Sequence, residues 1–123
     1  MKKAEFKQPV GSLRISQEVV STIASYALKE IDGVAGLATF SSNIKHLLTQ
    51  KRVMKSIEVE ITDDVAEISL NVNLKNGAKI PVVAEQIQNA VKEAVQNMTG
   101  ITVAKVNVNV AGIVFEQEQP AQE

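Results

Sequence analysis

The amino-acid sequence predicts a two-layer α+β fold: two main helices packed on one face of a mixed, mostly antiparallel sheet. Three observations predict it. Two stretches carry apolar residues at helical spacing, and several others carry them at every second position. Each strong strand also has one apolar and one polar face, so a single helical layer is enough to cover the sheet. The expected order is strand, helix, three strands, helix, strand, in one domain over residues 11–116. Residues 1–10 read as a flexible lead-in, and residues 117–123, rich in Glu and Gln, as a disordered acidic tail.

Residues 11–15 alternate briefly and are expected to form a short first strand. Ser16 then suits an N-cap, and Glu18 places a negative charge in the first helical turn. Val19, Val20, Ile23, Ala24, Ala27, Leu28 and Ile31 form one helical stripe, which Asp32 and Gly33 end. A short strand with small residues is expected over 34–40. Residues 41–43 read as a loop, Ile44, Leu47 and Leu48 as a short helical turn, and Lys45 and His46 with residues 51–55 as a basic loop or short helix. Ile57, Val59 and Ile61 alternate with Glu58, Glu60 and Thr62. After a turn at Asp63 and Asp64, Ile68, Leu70, Val72 and Leu74 face inward from a partner strand, and the two form a hairpin.

The last unit runs from Ile80 to Phe115. Pro81 fits a first helical turn, where its missing N–H costs nothing. Val83, Ile87, Ala90, Val91, Ala94, Val95 and Met98 make the stripe, and Gly100 sits where a left-handed C-cap belongs. The period then changes to two. Ile101 and Val103 alternate on one parity; Val106, Val108 and Val110 alternate on the other. Such a slip would turn every later side chain to the wrong face, so a bulge is expected at Ala104 and Lys105.

Composition narrows the chemistry. The chain has 123 residues, 45% of them hydrophobic, only 3% aromatic, and no cysteine. That suits one globular domain with an aliphatic core and excludes disulfides and thiolate metal sites. No apolar run approaches the roughly 20 residues that span a bilayer, and a cytoplasmic protein is expected. His46 is the single histidine, no nucleophile elbow surrounds any serine, and no phosphate loop is present. A non-enzymatic protein is therefore expected, with no metal, no cofactor and no small-molecule substrate.

What remains for function is surface. Glu58, Glu60, Ser69, Asn71, Asn73, Asn107 and Asn109 fall on the polar side of the expected strands and are candidates for partner binding or self-assembly. Lys51, Arg52 and Lys55 form a basic cluster that could meet a partner or an anionic surface. Charge is also unevenly spread, +5 over residues 1–55 and −6 over 56–123. A weak nucleic-acid-binding role is a further reading of the basic cluster, disfavoured by a pI near 5.9 and the lack of an aromatic platform.

Two long stretches carry a resemblance. LRISQEVVSTIASYALKEIDGVAGL at the start and NGAKIPVVAEQIQNAVKEAVQNMTGITVAKVNVNVAGIVFE at the end agree in order and spacing with the alkaline shock protein family, 23 type. The similarity covers about residues 11–116. It implies an α+β protein of the Gram-positive envelope stress response with no catalytic residues, held at the inner face of the cell membrane by a membrane-anchored protein partner. It also implies self-association as a homo-oligomer. A second reading that follows from the resemblance is a regulatory partner of a lipid or fatty-acid synthesis enzyme.

Overall fold

A computed structural model describes residues 10–38 and 56–115. Within them the chain forms α1 (Gln17–Leu28), β1 (Val34–Leu37), β2 (Ile57–Thr62), β3 (Val65–Lys75), α2 (Ile80–Thr99) and β4 (Thr102–Val114). β3 is the axis of the sheet. β4 runs parallel to it along one edge, from Thr102 beside Val65 to Val114 beside Lys75. On the other edge, β2 pairs antiparallel with residues 65–70 and β1 pairs antiparallel with 72–74. The two meet at Asn71, whose N–H donates to the Ser56 carbonyl and whose carbonyl accepts from the Ala38 N–H, each at 2.8 Å. Ser56 Oγ closes the seam by donating to the Ala38 carbonyl at 2.6 Å.

The sheet is mixed and mostly antiparallel, as expected, and the parallel pair follows from α2. A helix of 20 residues is about 30 Å long. It carries the chain back along β3, so the next strand starts where β3 started.

The core lies between β3 and the helices. Ala66, Ile68, Leu70, Val72 and Leu74 are buried on one side of β3. Val20, Ile23, Ala24 and Leu28 meet them from α1, and Val83, Ile87, Val91 and Val95 from α2. Ser16 caps α1 by accepting the Val19 N–H at 3.1 Å, and Gly100 ends α2 with φ of 80°. Both stripes are narrower than expected. Val19 is 47% exposed and Met98 is 72% exposed, because α2's apolar contact stops at Val95 as the chain reverses through Gly100. Likewise α1 ends at Leu28, and Ile31 packs on the core from the turn that follows.

Two further differences concern the strands. Residues 11–16 form no strand: both edges of β3 are already occupied, Leu13 is 78% exposed, and only Ile15 packs on the core. The element order is therefore helix, three strands, helix, strand. The bulge is where the parity slip placed it: Ala66 pairs with Val103 and Glu67 with Lys105, leaving Ala104 as the extra residue. A second bulge at Ala111 had no parity signal, because Val110 and Gly112 pair with consecutive residues of β3 in a stretch of small side chains. The expected helical turn near Ile44 lies outside the described residues.

Candidate interaction surface

Period-two geometry sends the odd-numbered residues of β3 away from the helices. Glu67, Ser69, Asn71 and Asn73 are half-buried there, with no second layer over them among the described residues. The register adds neighbours on either side. Glu58, Ser69 and Asn107 lie in one row across β2, β3 and β4; Glu60, Glu67 and Lys105 form the next. Asn71 is beside Asn109, and Asn73 lies between Gly36 and Gly112. The structure thus brings Glu58, Glu60, Asn71, Asn73, Asn107 and Asn109 onto one face. Lys51, Arg52 and Lys55 lie outside the described residues, as does His46.

The face is held by its own hydrogen bonds. Asn107 Nδ2 donates to Glu67 Oε2 at 3.0 Å and to Ser69 Oγ at 3.2 Å. Asn109 Nδ2 donates to Asn71 Oδ1 at 2.8 Å. These amides cross from β4 to β3 and fix one another's rotamers. Gly112 serves the next row: a Cβ there would stand 2.9 Å from Asn73 Oδ1, so a side chain would push the amide aside. Among the described residues three carboxylates, Glu58, Glu60 and Glu67, share this surface with two cations, Lys105 beside Glu67 and Lys75 at the far end of β3. The face is acidic, and Glu60 stands directly opposite Glu67, a like-charge pair that lowers stability.

Glu67, Lys75 and Lys105 are the members that sequence reading missed. Glu67 was legible from its alternation with Ala66 and Ile68. Lys105 required the bulge to be placed just before it.

Elsewhere the hydroxyls serve the backbone. Thr22 Oγ1 donates to the Glu18 carbonyl and Thr99 Oγ1 to the Val95 carbonyl. Among the described residues no group of three His, Asp or Glu side chains is placed to hold a metal ion, and no helix is long and apolar enough to cross a membrane. Asp63 and Asp64 both adopt positive φ, 54° and 65°, which makes them the two central residues of a tight hairpin turn.

Comparison with known proteins agrees with this architecture. The chain is 30% identical to YqhY of Bacillus subtilis over 108 residues, covering 87% of this chain and 80% of that one. It is 31% identical over 106 residues to Spy1614 of Streptococcus pyogenes, covering 84% and 88%. A stress response regulator gls24 homolog of Streptococcus pyogenes is 27% identical over 114 residues; the match takes in 91% of this chain but 64% of that longer protein. Among solved structures, a copper form of the MamM CTD superposes with a TM-score of 0.50 at 13% identity, over 79% of this chain and 98% of that one, a likeness of fold alone. A family model for proteins of cell envelope-related function matches residues 5–115, and the chain belongs to that family, the alkaline shock protein 23 family.

Proposed function

We propose that this protein acts in the cell-envelope stress response as a binding protein without catalytic turnover, and that the open face of the sheet is its binding surface. The observation that carries this reading is the face itself. Rows of amide and carboxylate side chains sit on a rigid strand pair, held by bonds of 2.8–3.2 Å, with Glu58, Glu60 and Glu67 gathered around the single lysine, Lys105, at that end of the face. Such a surface binds with little loss of side-chain entropy and selects a basic partner. Family membership supplies the setting, and the name carried by the gls24 homologs supplies the stress response.

The basic partner is a membrane protein presenting a cytoplasmic segment. Segments beside the inner ends of membrane spans are enriched in Lys and Arg, which matches an acidic receptor face. Lys51, Arg52 and Lys55 would add contact with the anionic bilayer surface beside it, a role resting on sequence alone.

The test is affinity capture of partners from a Gram-positive membrane extract with the wild-type chain and with E58K/E60K. A membrane protein held by the wild type and lost by the variant, with retention falling as salt rises, is the expected result. Capture of a carboxylase or another lipid-synthesis enzyme as the dominant partner would overturn it and favour a regulatory role. Equal capture by both chains would remove the open face from the account.

A further inference from the structure

The hairpin turn decides which backbone groups of β2 face β3 and which face out. With Asp63 and Asp64 as the two turn residues, Thr62 and Val65 form a hydrogen-bonded pair, and so do Glu60 with Glu67 and Glu58 with Ser69. Ser56, whose carbonyl accepts from the Asn71 N–H, continues that series. The N–H and C=O groups of Ile57, Val59 and Ile61 therefore point away from β3, and no described residue bonds them. Proteins blunt such edges with proline, bulges or cover. Residues 57–62 hold no proline, and their pairing with β3 runs without a register shift.

This edge borders a groove of about 650 Å³ between the start of α1, at Gln17, Glu18 and Ser21, and residues 57–60 of β2. Its charged lining residues are Glu18, Glu58 and Glu60; among the described residues no lysine or arginine lines it. These carboxylates decide what can pair here. A second copy laid antiparallel along β2 about Val59 would set Glu58 against Glu60 twice, and like charges directly opposite are destabilising. A strand with Lys or Arg opposite Glu58 and Glu60 gains attraction at the same two positions. Its intervening side chains fall on the α1 side of the sheet, where the groove opens. In such pairings main-chain bonds supply affinity and alternate side chains supply specificity.

We propose that the outer edge of β2 takes an extended segment of a partner protein as a fifth strand of the sheet, one with Lys or Arg at alternate positions, opposite Glu58 and Glu60. This rests on the basic partner of the open-face reading and sharpens it. The two share Glu58 and Glu60, but here the partner is held by the backbone of Ile57, Val59 and Ile61. The edge from Ile57 to Ile61 is about 13 Å long, so five residues of partner cover it.

The probe is the peptide Val-Lys-Val-Lys-Val, blocked at both ends, titrated into the full chain with amide exchange as the readout. The amides of Ile57, Val59 and Ile61 are expected to slow at least about tenfold at saturation. Methylating the backbone nitrogen of the peptide's central valine, which faces β2, should weaken binding at least about tenfold; methylating those of its lysines, which face away, should change it less than about twofold. E58K/E60K should lose the peptide, and Val-Glu-Val-Glu-Val should not bind. N107T/N109T, altered on β4 across β3, should bind it like the wild type, since five residues along β2 do not reach that strand. No binding at about 5 mM peptide overturns the proposal, as does equal loss on methylating valine or lysine. Binding that leaves the Val59 amide unchanged and is lost in N107T/N109T would overturn the edge and leave the open face standing. Slowed edge amides, with capture of the membrane partner undiminished in N107T/N109T, would keep the edge and remove the open face. Edge amides already slow without peptide, and released on deleting residues 1–9 or on dilution, would give the edge to this chain's own N-terminus or to a second copy, and equally overturn it.

Discussion

On β3 the even-numbered residues from Ala66 to Leu74 are closed over by α1 and α2, while Glu67, Ser69, Asn71 and Asn73, their immediate neighbours, face out and are only half-buried. One backbone therefore serves two surfaces with different physics. On the covered side, stability scales with apolar area removed from water. On the open side, the side chains bond one another in rows, and a hydrogen bond exposed to water contributes little net stability. The difference teaches that the fold is secured from one side of the strand, leaving the other free to be chosen for something else.

The comparison breaks most visibly at Leu70. It is 1% exposed, at the centre of β3, and contacts from both neighbouring strands limit how far the site can collapse. Leu70→Ala should destabilise the protein by about 2–5 kcal/mol, read as a shift of the denaturant midpoint at unchanged slope. A loss under about 1 kcal/mol would mean that the helices are not packed against this strand as described.

Gly112 tests the open side by steric means. Its missing Cβ leaves room for Asn73 Oδ1, which a methyl group would approach to 2.9 Å. Since the obstacle is the end of a side chain, Gly112→Ala should cost only about 1 kcal/mol. In the N73A background the cost should vanish, giving a coupling energy of similar size in a double-mutant cycle. An undiminished cost in that background would place the strain in the backbone instead.

How much of this was legible follows the same division. The covered face was readable because burial imposes a period: Val83, Ile87, Val91 and Val95 at helical spacing, and Ile68, Leu70, Val72 and Leu74 at spacing two, all lie in the core. The bulge at Ala104 was readable as a break in that period. Where burial stops, so does the signal. Met98 kept the spacing but lies past the last packed turn, and the alternation of residues 11–15 had no free edge of β3 to join. The open face was half legible. Parity places Asn71, Asn73, Asn107 and Asn109 on one side, but only register shows that Asn107 meets Glu67 and Ser69 and Asn109 meets Asn71. The two-strand edge opposite β4, split at Asn71, left no trace in composition, since it depends on which strand pairs with which half of β3.

The smallest effect separates structure from function most sharply. Asparagine is a poor strand residue, and threonine a good one, on a scale spanning about 1 kcal/mol. Asn107 and Asn109 are exposed, and their bonds to β3 offset part of that deficit. Replacing both with Thr should leave the melting temperature unchanged or raise it slightly, by an amount corresponding to about 0.5 kcal/mol. The same double variant should lose capture of the membrane partner, because threonine cannot present an amide donor and acceptor at that reach. Retained stability with lost binding would show asparagines kept at some cost to the fold for the sake of contact. A clear loss of stability would instead make the amide rows part of what holds β4 to β3, and the open face would then be structural on the same terms as the covered one.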